Sequence, residues 1–232
     1  MKRLDVFLLH GIGKSIGLNY YDGFVNAVRS KLPIDLDIGF HPIDYSPLLD
    51  TKEATIFSWM EDMGWKKLRR FACDFVCDVL AAAYPRRTPV AGDFIFDLTE
   101  MLKAKFAEVG SKYPDSIKIL IGHSLGTVIG FNFTWEYPLE HLILMGSPFD
   151  YFSIRYHNFG ENNPKLKTFV NFWKRYDVVS TIISRNPNFK SVKDIQVRSF
   201  NPKYILPVRA HTTGYWDSDF VHSEIAGILK GL

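Results

Sequence analysis

The pentapeptide Gly122-His123-Ser124-Leu125-Gly126 sets a serine between two glycines, directly after Ile117, Ile119, Leu120 and Ile121, a short apolar run rich in β-branched residues. Strand, sharp turn and following helix together make a nucleophile elbow, in which the serine hydroxyl stands clear of the sheet. Glycine at 122 and 126 leaves room for the close approach of strand and helix, while the turn holds the serine backbone strained. The N–H of Leu125, at the positive end of the new helix, then faces the place where a carbonyl oxygen turns negative. The plain alternative is an ordinary glycine-rich strand-to-helix turn. What raises the motif above it is the company of further residues that the same chemistry requires.

A serine hydroxyl is a poor nucleophile near neutral pH. An imidazole must take its proton during attack and return it to the leaving group, and a carboxylate must hold that imidazole in the productive tautomer. A second donor to the oxyanion is also needed, and His10-Gly11-Ile12-Gly13 follows the first apolar run, residues 4–9. Gly13-Lys14-Ser15 also looks like the end of a phosphate-binding loop, but that motif needs glycine where the chain has Leu8. The dinucleotide fingerprint fails as well, because Ile16 stands where its third glycine belongs. The better reading makes this loop the source of the second donor, the backbone N–H of Ile12. A glycine-containing connection with no ligand is the bland alternative.

These loops need a rigid frame. Residues 4–9, 117–121, 141–145, 167–173 and 195–200 read as strands, the first three of them as mostly apolar runs of the kind buried on both faces. Residues 34–43 alternate, with Asp35 and Asp37 opposite Ile34, Leu36 and Ile38, and also read as a strand. Helical spacing appears over 20–32, stopping before Pro33, over 94–109, ending at Gly110, in the stretch after Ser124, and over 219–232. Strands alternating with helices imply a mostly parallel sheet flanked by helices, an α/β fold. Residues 53–84 are the longest helical stretch, and about 53–110 form a helical insert or cap between sheet segments. A polar and aromatic loop over 151–165 is a second candidate lid.

Composition narrows the class. With 232 residues the chain suits one α/β domain spanning 1–232, and 47% apolar with 23% charged residues is ordinary for a soluble globular protein. A net charge of +3 implies no polyanionic partner, so no nucleic acid is expected. Cys73 and Cys77 lie four apart in a helical stretch, a poor geometry for a disulfide and without nearby metal ligands. They read as thiols of a reducing compartment. Asp5 interrupts the first apolar run, too short for a signal peptide, and no window is long enough to span a bilayer. A cytoplasmic protein is the expectation. Lys66-Lys67-Arg69-Arg70 read as a solvated helix face, with weak contact to an anionic membrane surface as the alternative.

With these pieces in hand the chain resembles an α/β-hydrolase of the lipase and serine esterase type. The resemblance rests on residues 8–13, the elbow, Asp177 after a late strand, and His211 with Tyr215-Trp216 near the C-terminus, and it spans nearly the whole chain. It implies the α/β-hydrolase fold and a triad in the order Ser124, Asp177, His211, the order usual for that fold. It makes His211 the base, because that residue lies beyond the last strand, and Asp177 the acid, with Asp150 after the preceding strand as the alternative. Asp194 and Asp217 are less well placed. His10 and His123 are read as motif residues whose backbones matter more than their side chains; His41, His141, His157 and His222 as structural or surface histidines. The implied activity is hydrolysis of a small-molecule carboxylic ester, with neither cofactor nor metal. A thioesterase, an acyltransferase or a non-catalytic binding module on the same fold is the alternative.

Overall fold

Short apolar runs bounded by turns become strands when both faces can be covered. In the computed structural model they are β1 (Leu4–Leu9), β2 (Ile38–Ile43), β3 (Ile117–His123), β4 (His141–Met145), β5 (Thr168–Trp173) and β6 (Lys193–Gln196). The helices are α1 (Tyr20–Arg29), α2 (Ala91–Lys112), α3 (Leu125–Glu136) and α4 (Asp219–Lys230). The structure describes residues 2–10, 20–45, 91–149, 165–177, 179–186, 189, 191–198, 210–211 and 214–232. The expectations for Ile12, the stretch 53–84 with its cysteines and basic cluster, Asp150 and the loop 151–164 fall outside these residues.

The strands form one six-stranded sheet in the order β2-β1-β3-β4-β5-β6, parallel at every pairing. Every residue of β1 and β4 is buried, as parallel strands covered on both faces must be. Alternate side chains divide between two cores. Leu4, Val6 and Leu8 join Tyr21, Phe24 and Val28 of α1 and Val221, Ile225 and Leu229 of α4. Phe7 and Leu9 join Leu98, Leu102 and Phe106 of α2 and Val128, Ile129 and Phe133 of α3 on the other face. Phe106 stacks on Phe7 with ring centroids 3.6 Å apart. Each such fully buried ring contributes about 1.5–3 kcal/mol of burial free energy.

Several boundaries differ from the sequence pattern. Residues 34–37 are not strand: the N–H of Leu36 donates to the Pro33 carbonyl at 3.2 Å, closing a turn that leaves Ile34 fully exposed. The alternation there reflects turn geometry rather than a pleat. Helix α2 runs through Gly110 to Lys112 because Val109 is buried and its carbonyl accepts from Tyr113 N at 2.9 Å, which outweighs the weak helix propensity of glycine. The last strand begins at Lys193 rather than at 195 and ends at Gln196, where β5 offers it backbone partners.

The topology creates the site. From β1 the chain passes to β2 on one side, and β3 then lands on the other side of β1. The carboxyl ends of β1 and β3 therefore flank the point where the strand order reverses, the usual ligand position in open parallel sheets. Leu9 pairs with Gly122, Gly122 with Leu144, and Met145 with Phe172, so these strands finish nearly level at that edge. Toward the opposite edge lies Asp5, fully buried, which accepts from Arg3 Nε at 3.1 Å and from His41 Nε2 at 2.8 Å. Burial alone would raise this carboxyl; His41 and Arg3 outweigh that and hold it below its ordinary value.

Candidate active site

Ser124 joins β3 to α3 with φ 54° and ψ −124°, and it is the one non-glycine residue with positive φ among the described residues. Such a conformation costs about 1–3 kcal/mol and persists only where its surroundings fix it. They do: Ser124 N donates to the Met145 carbonyl at 3.0 Å, and the Ser124 carbonyl accepts from Thr127 N at 3.0 Å and from Thr127 Oγ1 at 2.5 Å. A Cβ on Gly122 would stand 2.6 Å from the Gly126 carbonyl oxygen, and one on Gly126 would meet the His10 carbonyl oxygen and lie 2.7 Å from that of Leu9. Both glycines are thus required by close approach, as the motif predicts. Leu125 is the first residue of α3 and buried, and its N–H has no intrahelical acceptor.

The imidazole of His211 reaches this serine. His211 Nε2 lies 2.7 Å from Ser124 Oγ, and its Nδ1 lies 3.0 and 3.1 Å from the two oxygens of Asp177. All three side chains are buried. Asp177 follows β5, and its Oδ1 accepts from the N–H groups of Val179 at 2.9 Å and Ser180 at 3.2 Å. Its Oδ2 accepts from the Tyr215 hydroxyl at 2.8 Å. Burial pulls this carboxyl upward, but His211, Tyr215 and the Val179 N–H outweigh it, and Asp177 stays below its ordinary value. Burial, then the Asp177 charge, raises the Tyr215 phenol well above its ordinary value, so it keeps the proton it donates. Because the carboxylate only accepts, the proton of a neutral His211 sits on Nδ1, and the lone pair of Nε2 faces the serine hydroxyl.

Of the residues named from sequence, Ser124, Asp177 and His211 are brought together and Leu125 adjoins them. Ile12 and Asp150 lie outside the described residues, and so does His157. His41 pairs with Asp5, His141 Nδ1 lies 2.9 Å from Thr168 Oγ1, and His222 Nε2 donates to the Trp216 carbonyl at 2.6 Å. Asp194 serves the fold, accepting from Asn171 Nδ2 at 2.6 Å and from Ile183 and Ser184 N–H groups.

His123 corrects the sequence reading, because its side chain is engaged: Nε2 donates to the His211 carbonyl at 2.8 Å. Burial, then the neighbouring His211, lowers its pKa to about 3, so it is a neutral donor. Nothing in the sequence singles out Lys174. It is buried, donates to the Gly214 carbonyl, and burial lowers its ammonium to about 8. No sequence period marks either residue; only the position of His123 next to the serine offered a hint. Among the described residues no group of three or more His, Cys, Asp or Glu could hold a metal ion, and no helix is long and apolar enough to cross a membrane.

No family model and no curated protein matches the sequence. Solved structures do match. A predicted CIB-like hydrolase from Thermoplasma acidophilum superposes with a TM-score of 0.52 at 14% identity, covering 100% of this chain and 88% of the other. A protein of unknown function from Agrobacterium tumefaciens, described as a candidate α/β hydrolase, superposes with a TM-score of 0.54 at 12% identity, covering 98% and 84%. At such identities the likeness concerns architecture. The chain has the α/β-hydrolase fold, with helices on both faces of its parallel sheet and the strained serine at the carboxyl edge.

Proposed function

We propose that the protein is a serine hydrolase that cleaves small-molecule carboxylic esters through an acyl-enzyme. The observation that carries this reading is the hydrogen-bonded line from Ser124 Oγ through His211 to Asp177, built on a serine held at φ 54°. The hydrolase names of the two structural neighbours agree with it at the coarser level of class.

In this mechanism the Ser124 oxygen attacks the ester carbonyl carbon as its proton passes to His211 Nε2. The carbonyl electrons move onto oxygen, where the N–H groups of Leu125 and Ile12 receive the negative charge. Asp177 stays ionised and stabilises the imidazolium. The tetrahedral adduct then collapses, the C–O bond to the alcohol breaks, and the departing oxygen takes the proton from Nε2. A water repeats the sequence with His211 again as base, releasing the carboxylic acid and restoring the serine.

Labelling with a fluorophosphonate probe, beside hydrolysis of p-nitrophenyl esters of graded acyl length, tests the proposal. Wild type labels and turns over, whereas Ser124→Ala does neither, its turnover falling on the order of 10⁴-fold or more. A folded wild type that neither labels nor hydrolyses any ester would favour a binding module instead. Matched acyl thioesters and an added alcohol acceptor in the same assay separate ester hydrolysis from thioester cleavage and acyl transfer.

A further inference from the structure

Ala210 and His211 are helical, and residues 214–217 form turns before α4. Carbonyls at turns and helix ends lie outside the regular ladders, yet buried ones must be satisfied. Three of them each receive a buried side-chain donor: His123 Nε2 to His211 at 2.8 Å, the Lys174 ammonium to Gly214, and His222 Nε2 to Trp216 at 2.6 Å. The donors come from three separate elements: the last residue of β3, the residue after β5, and α4. They are only 5%, 6% and 6% exposed. A carbonyl only accepts, so both histidines carry a proton on Nε2.

The arrangement at the elbow is the tightest part. His211 is tied twice to consecutive residues: its ring to Ser124 at 2.7 Å and its backbone carbonyl to His123 at 2.8 Å. Ser124 is itself fixed by its strained turn. The ring of His123 sits against His211, Tyr215 and Trp216, with centroids 5.2, 5.7 and 5.5 Å away.

We infer that His123, Lys174 and His222 are positioning residues, a clamp of three donors on the carbonyls of His211, Gly214 and Trp216 that sets where His211 stands against Ser124. The inference rests on the serine hydrolase reading for its consequence in rate, though not for its geometry. Misplacing a reacting group by about 1 Å costs on the order of 100-fold. That is the effect a loosened clamp should have.

The test uses the full chain with ¹⁵N-labelled histidine. In wild type the ring spectrum of His123 shows a neutral imidazole protonated at Nε2, and the His211 Nδ1 proton appears far downfield through its bond to Asp177. His123→Phe keeps a flat ring and removes the donor; His123→Gln returns an N–H at similar reach. The Phe variant labels with fluorophosphonate about ten- to a hundred-fold more slowly and loses the downfield proton, while the Gln variant stays within about three-fold of wild type. Lys174→Met slows labelling independently. A His123 protonated at Nδ1 in wild type, a Phe variant that labels normally, or a Gln variant as slow as the Phe one would each overturn the clamp. Should His123→Phe fail to fold, the wild-type tautomer and Lys174→Met still decide. If wild type never labels, the hydrolase reading falls, and the His211 Nδ1 proton in the same variants judges the clamp alone.

Discussion

Tyr215 donates its hydroxyl hydrogen to Asp177 Oδ2 at 2.8 Å, from the same segment whose His211 Nδ1 stands 3.0 Å from that oxygen. The carboxylate is therefore gripped twice by the segment it orients. Tyr215→Phe keeps the ring and removes one donor to a charged group, worth about 1.5–3 kcal/mol. We expect kcat/KM for ester hydrolysis to fall about ten- to a hundred-fold, with the fold retained. The low-pH end of the profile should also steepen, because Asp177, freed of one hydrogen bond that holds it low, takes up its proton at higher pH. An unchanged rate and profile would mean that Val179, Ser180 and His211 suffice.

The wild-type acid limb itself should have unit slope. Asp177 is held below its ordinary 3.8, and His123 charges only near 3, so neither takes up a proton above about pH 4.5. Protonating the general base removes the lone pair that receives the serine proton, so activity falls as pH falls. A plot of log kcat/KM against pH with slope two would point to a second group in the site. Stability behaves separately: Asp5 and Asp177 are both depressed, so what they contribute is present above about 3.8 and lost as pH falls through their folded values. A melting temperature that holds to about pH 4 and then drops checks this.

Much of the frame was legible in the chain because parallel strands advertise themselves: residues 4–9 and 141–145 are buried on both faces and read as apolar runs in which Asp5 and His141 are the only polar residues. Ser124 was legible for a related reason, since Gly122 and Gly126 are demanded by backbone approach that no other residue permits. What the sequence hid are contacts spanning 88 and 40 residues, His123 to His211 and Lys174 to Gly214. No local period encodes a tertiary hydrogen bond. The end of α2 is not legible because Gly110 carries no sign of the buried Val109 beside it, and residues 34–37 are not because alternation in a turn imitates a pleat.

Gly146, just after β4, adopts φ +60°, and a Cβ there would stand 2.8 Å from Tyr215 Cε2 and 3.3 Å from Asp177 Oδ2. Here conformation and space both exclude a side chain. Gly146→Ala should destabilise the protein by about 1–3 kcal/mol and push the Tyr215 ring off the carboxylate. Denaturant unfolding measures the first effect, and a loss of ester hydrolysis larger than that of Tyr215→Phe measures the second. By contrast Phe106→Ala, which empties a stack against Phe7, should lower stability by about 3–5 kcal/mol and leave kcat/KM nearly unchanged.

Lys174 sets stability and positioning against each other. Burial lowers its ammonium from 10.5 to about 8, whereas in the unfolded chain the amine keeps its proton to about 10.5. Between those values the unfolded state binds the additional proton, so stability attributable to this residue rises with pH across that window. Lys174→Met removes the titration together with the bond to the Gly214 carbonyl. Unfolding free energies measured in urea at pH 8, 9 and 10 should therefore rise more steeply in wild type than in the variant. At pH 7 the variant should remain folded yet label more slowly with fluorophosphonate, because a hydrophobic chain of similar length fills the site without holding the segment that carries His211. Equal slopes in the two proteins would show that the amine is not buried as the structure places it.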